Sequence, residues 1–130
     1  MKTALLVPLL LLLQIPKNNP TGIWEAETGT QFDLRLAGSD LKVGLVEGSN
    51  PTYLKYEINL KGTEEVNTYK GSGYFLAKLK NGKECKFDTD WEIVVVAANR
   101  ILGSAVSIIP DPDTCAVKEK NRVTLDLKKK

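Results

Sequence analysis

Asp88 and Asp90 lie two residues apart on one predicted strand face, and Asp111 and Asp113 flank Pro112, so either pair could offer oxygens to calcium. Calcium asks for six to eight oxygen ligands, and neither pair has the glycine-and-acid spacing of a known binding loop. Both are read as solvated carboxylates, and no metal is expected. Glu25 with Glu27, and Glu64 with Glu65, have the residue types of a glycosidase acid and base. Nothing in their spacing sets a carboxyl separation or raises one pKa above the other. The chain has no histidine, which removes Ser/His and Cys/His nucleophiles, histidine-ligated zinc and an imidazole switch. It has no P-loop, dinucleotide fingerprint or nucleophile elbow either. The expectation is a protein that is not an enzyme and needs no cofactor.

Cys85 and Cys115 form an even pair without C-x-x-C spacing, so a structural disulfide is expected in preference to two buried thiols or a redox site. In the chain-entropy picture, closing that loop stabilises the fold by roughly 3 to 4 kcal/mol. Tyr53, Tyr56, Tyr69 and Tyr74, interleaved with Lys55, Lys70 and Lys78, have the composition of a strand surface for single-stranded nucleic acid. The formal charge of +2 is too small to drive such binding. A solvated face is preferred, and no nucleic-acid partner is expected.

These residues need elements to position them. Lys2 precedes an apolar run from Ala4 to Leu13 that is leucine-rich and too short to span a bilayer. Residues 1–16 read as a signal peptide, helical in its apolar run, or as an uncleaved leader. Residues 17–21 are a linker, and 22–130 form one domain. The address is secreted or periplasmic, with membrane attachment only through the leader if it stays uncleaved. No small-x-small cleavage site lies between Leu13 and Pro20.

Beyond the linker the apolar period is two. Phe32, Leu34 and Leu36 alternate with Asp33 and Arg35, and Leu54, Tyr56, Ile58 and Leu60 alternate with Lys55, Glu57 and Asn59. Turns are marked by Gly38-Ser39-Asp40, Gly48-Ser49-Asn50-Pro51, Gly62-Thr63 and Asn81-Gly82. One hairpin can be argued in register. A two-residue Asn-Gly turn would set Leu79 beside Glu84. A three-residue loop of Lys80, Asn81 and Gly82, with Gly82 left-handed, sets Ala77 opposite Cys85 and Phe75 opposite Phe87. From Trp91 to Ala98 alternation is lost, which predicts a strand covered on both faces or one bordering an exposed patch. Ile101 to Ile109 reads as a strand broken at Gly103, and the last strand alternates through Val123, Leu125 and Leu127. About eight antiparallel strands are expected, closed as an up-and-down barrel or stacked as a two-sheet sandwich. Gly44, Gly71, Gly73 and Gly103 inside strands favour the barrel, since they allow strong bending.

Gly22-Ile23-Trp24 resembles the G-x-W signature of the lipocalins and their calycin relatives, the avidins and fatty-acid-binding proteins. Thr89-Asp90-Trp91 is similar to their T-D-Y element, with tryptophan for tyrosine, and Arg122 takes the place of the arginine that stacks on the first-strand tryptophan. The resemblance implies that Gly22, Trp24 and Arg122 close one barrel end. It further implies that a small apolar molecule or lipid binds inside, against Phe32, Leu34, Tyr56, Ile58, Phe75, Phe87, Trp91 and Ile93. Eight short strands can also be filled by their own side chains. The alternative is a structural or protein-interaction module of the cell envelope or secreted space that docks a partner through Val94 and Val96.

Overall fold

The computed structural model describes residues 16–130. The expected leader helix falls on residues 1–15 and lies outside the described residues. Eight strands follow: β1 (Gly22–Ala26), β2 (Gln31–Ala37), β3 (Asp40–Leu45), β4 (Tyr53–Gly62), β5 (Thr68–Lys78), β6 (Glu84–Ala97), β7 (Arg100–Pro110) and β8 (Val117–Lys129). Each pairs antiparallel with its neighbour in sequence, and β8 returns to β1, so the sheet is a closed up-and-down barrel and not a sandwich. This architecture is compatible with a calycin-like fold.

Dyad alternation sorts the side chains. On β6, Cys85, Phe87, Trp91, Ile93 and Val95 are buried, while Lys86, Asp88 and Glu92 between them are exposed. Where alternation failed in the sequence, Val94 and Val96 point outward and are 37% and 48% exposed. The strand therefore borders an open patch and is covered on one face only. The β5–β6 hairpin has the expected register, Ala77 opposite Cys85 and Phe75 opposite Phe87. Gly82 is left-handed at φ 87°, and the Leu79 N–H donates to the Lys83 carbonyl at 2.8 Å.

Gly103 does not break its strand; β7 runs through it without interruption. The reason for glycine there is proximity. A Cβ on Gly103 would stand 2.1 Å from the Glu92 carbonyl oxygen, and one on Gly71 would stand 2.0 Å from that of Asn59. Both positions face inward, opposite Ile93 and Leu60 respectively. At both positions the neighbouring strand's backbone occupies the space a side chain would need.

The two ends differ. One holds the chain entry, the β4–β5 loop and the C-terminus. There the Asn67 amide donates to the Pro16 carbonyl, and the Asn18 N–H donates back to Asn67 Oδ1 at 2.8 Å. The other holds the β1–β2, β3–β4, β5–β6 and β7–β8 connections, with Cys85 bonded to Cys115 across it.

Gly103→Ala should lower stability by about 2 kcal/mol or more, because backbone must move to admit one methyl. Gly44→Ala, whose nearest new neighbour would be 3.8 Å away, should cost far less. Urea unfolding of the two variants checks this contrast.

Candidate functional site

The residues expected to line a pocket are brought inside the barrel, but against one another. Phe32, Leu34, Ile58, Trp91 and Ile93 belong to the larger core cluster, and Phe75 and Phe87 to a second one nearer the disulfide. Tyr56 touches both. Its ring stacks on Phe75 at 5.2 Å and meets Phe32 edge-on at 5.2 Å. Phe32 in turn meets Trp91 edge-on at 5.1 Å. Tyr53, which the sequence reading did not place in the interior, joins through Phe75 at 5.4 Å. These offset and edge-to-face contacts plug the barrel across its width. Tyrosine suits the rim of such a plug, since its ring is apolar and its hydroxyl can reach water. Burial holds the phenols of Tyr53 and Tyr56 neutral to a higher pH than an ordinary tyrosine; for Tyr56 the neighbouring Tyr53 adds to the effect.

At the closed end, Trp24 is fully buried and its indole N–H donates to the Pro20 carbonyl at 2.8 Å. The cation over its ring is not the expected Arg122. Lys129, directly opposite Trp24 in the β1–β8 ladder, places Nζ 5.6 Å from the ring centroid. It also donates to the Thr21 carbonyl. Gly22 adopts φ 141°, and a Cβ there would press on Lys129 Cε at 2.9 Å, so glycine leaves space for the lysine stem. Arg122 stands farther up β8, opposite Val106, too far along the strand to reach the first-strand tryptophan. It pairs on the outer wall with Asp90 and donates to the Ser104 hydroxyl at 2.8 Å. That bond set ties β6, β7 and β8 together from outside. Thr89-Asp90-Trp91 sits mid-strand in β6, and the Thr89 hydroxyl donates to the Val106 carbonyl at 2.7 Å.

The opposite side of the molecule is open. β1 is five residues long and β8 thirteen, and they pair only over Trp24–Ala26 and Leu127–Lys129. Above Leu127, β8 continues with β7 as its partner, and its inward residues Leu125 and Val123 look across at the aromatic plug. The cavity between them, bounded by Phe32, Tyr53, Tyr56, Trp91, Val123 and Leu125, measures about 100 Å³. A larger groove of about 290 Å³, between Asp33, Lys42 and Glu57, lies on the outer wall among solvated side chains.

Glu25 and the Asp111/Asp113 pair are engaged in local hydrogen bonds. Glu25 accepts a hydrogen bond from the Gln31 amide and a second from Lys130, and these hold its carboxyl below the usual range, the wrong direction for a general acid. Asp111 Oδ1 accepts from the Asp113 N–H at 2.9 Å, so that pair shapes a turn. Among the described residues no group of three or more acidic or cysteine side chains gathers to hold a metal ion.

Tyr56→Ala should destabilise the barrel by about 3 kcal/mol, the order expected for emptying an aromatic site in a core, as read by urea unfolding. The alkaline limit follows from the raised phenol values. Ionising Tyr53 and Tyr56 is harder in the folded barrel than in the unfolded chain, where the ordinary value is 10.0. Their contribution is therefore full below pH 10 and is lost as the pH rises above it. Urea midpoints that stay level above pH 10 would refute this. Comparison of the chain with protein-family models, with curated proteins and with solved structures finds no match.

Proposed function

We propose that the protein is an exported, non-enzymatic interaction module, a barrel filled by its own side chains that works through its outer surface. The observation that carries this reading is the interior cavity of about 100 Å³, set against a lower bound of roughly 300 Å³ for small-molecule sites. The leader composition and the Cys85–Cys115 disulfide, which suits an oxidising compartment, support export to a secreted or periplasmic space. On the outer wall, Val94 and Val96 offer an apolar patch for a protein partner.

Carriage of a small apolar molecule is the second reading. One feature favours it: the break in the wall beside Tyr53 and Tyr56, where ring rotation would enlarge the cavity. Titrating the full chain with oleate while following tryptophan fluorescence separates the two, because Trp91 borders the cavity. The module reading expects no saturable change. It also expects a photo-cross-linking residue at Val96 to yield a discrete protein adduct in the producing cell. Saturable quenching by oleate without such an adduct would replace the module with the carrier.

A further inference from the structure

The upper half of β8 is a sheet edge. Lys129 N–H donates to the Asn99 carbonyl beside β7, and Lys130 N–H donates to the Ile23 carbonyl of β1. Backbone groups alternate sides along a strand, so odd-numbered residues of β8 bond to β7 and even-numbered ones face the β1 side. Because β1 pairs no farther than Ala26, the N–H and C=O groups of Lys120, Arg122 and Thr124 face a side on which no strand among the described residues pairs with them. A run of that length is a template for an added strand.

We infer that this edge accepts an extended peptide segment of a partner protein in antiparallel pairing, with acidic residues at alternate positions. The inference rests on the reading of the barrel as an interaction module. Directly opposed residues share a face, so the faces of the guest strand are specified. Its outward side chains would meet Lys120 and Arg122, which share a face, the latter already paired with Asp90, and this calls for carboxylates. Its inward side chains would lie beside Glu119, Asn121 and Val123. Val123 is 42% exposed although it occupies an inward position, as expected of a wall missing its next strand.

The same charges turn away a second copy. For two β8 edges to pair antiparallel with both inner faces on one side, Lys120 and Arg122 must fall opposite each other in the register that overlaps them fully, and like charges so placed repel. An acidic strand from another protein fits where a second copy does not.

The test uses the full chain and a fluorescein-labelled peptide of about nine residues, a common strand length, alternating valine and glutamate, read by anisotropy. Saturable binding is expected, at least tenfold weaker for a peptide with lysine replacing glutamate and for the Lys120→Glu variant. That variant's urea midpoint shows that the barrel itself is intact. In antiparallel pairing the glutamate amides are the ones that bond to β8, so N-methylation there should abolish binding and N-methylation at valine should not. Equal binding of the lysine peptide, or equal effects of the two methylations, overturns the proposal. So does a dimer in sedimentation that Thr124→Pro dissolves, since the edge would then serve a second copy. If no peptide binds while a Val96 cross-linked adduct forms, the edge proposal fails and the module reading stands; if neither occurs, both fail.

Discussion

Closure of an up-and-down barrel requires the last strand to find the first, and here that meeting is confined to three residue pairs around one buried indole. Trp24 is anchored from both sides, by the Pro20 carbonyl that its N–H reaches and by Lys129 over its face. An unpaired sheet edge is costly and adhesive, so closing it contributes to solubility as well as to stability. The cation–π contact adds something on the order of 0.5 to 1 kcal/mol at a partly exposed site. The greater effect is geometric. With Lys129 opposite Trp24, the register of the seam is set, and every inward position of β8 follows from it.

The seam also explains the interior. Since β1 turns back after Ala26 while β8 extends ten residues beyond its closing pairs, the wall is complete at one pole and interrupted toward the other. Aliphatic residues such as Leu34, Leu41, Ile93 and Leu127 suffice in the complete part, where strands surround them. Toward the interruption the chain places flat rings, each spanning more of the width than a leucine could. Phe32, Tyr56, Phe75 and Trp91 lean on one another and so depend less on a continuous wall. Packing of this kind resists small adjustments, because rings at van der Waals contact have little free volume to trade.

Most of the wall was legible in the sequence because strand residues with one wet face advertise their period. Phe32–Leu36 and Ile58–Leu60 were readable from alternation, and the Phe75–Phe87 hairpin could be put in register with one left-handed glycine; Leu54, expected on the same face as Tyr56, is 40% exposed. Three features were not legible. The stretch Val117–Arg122 has almost no apolar residues, since the inward face there meets solvent, and so it gave no strand signal. Tyr53 lies across a register shift from Lys55 in the β4–β5 ladder, which moves it off the simple alternation and into the plug. The partner of Trp24 was misplaced by seven residues, because charge alone cannot distinguish an arginine mid-strand from a lysine at its end. That choice depends on the length of β1, which a single tryptophan does not announce. The residues expected to line a pocket fall in or against the two core clusters, and whether inward side chains enclose space or consume it depends on ring-to-ring distances that periodicity does not encode.

The bond between Cys85 and Cys115 lies at the tip of the β7–β8 hairpin, the part of the barrel with least support from neighbouring strands. Above Ala105, β7 and β6 no longer pair, and side chains span the gap: the Thr89 hydroxyl on the Val106 carbonyl, Arg122 on Asp90, the Asn81 amide on the Asp113 carbonyl, and the disulfide. In a reducing environment the hairpin would lose its covalent latch to β6 and keep only these polar contacts. Oxidation fastens it, so the order of the hairpin's border depends on the redox state of its surroundings.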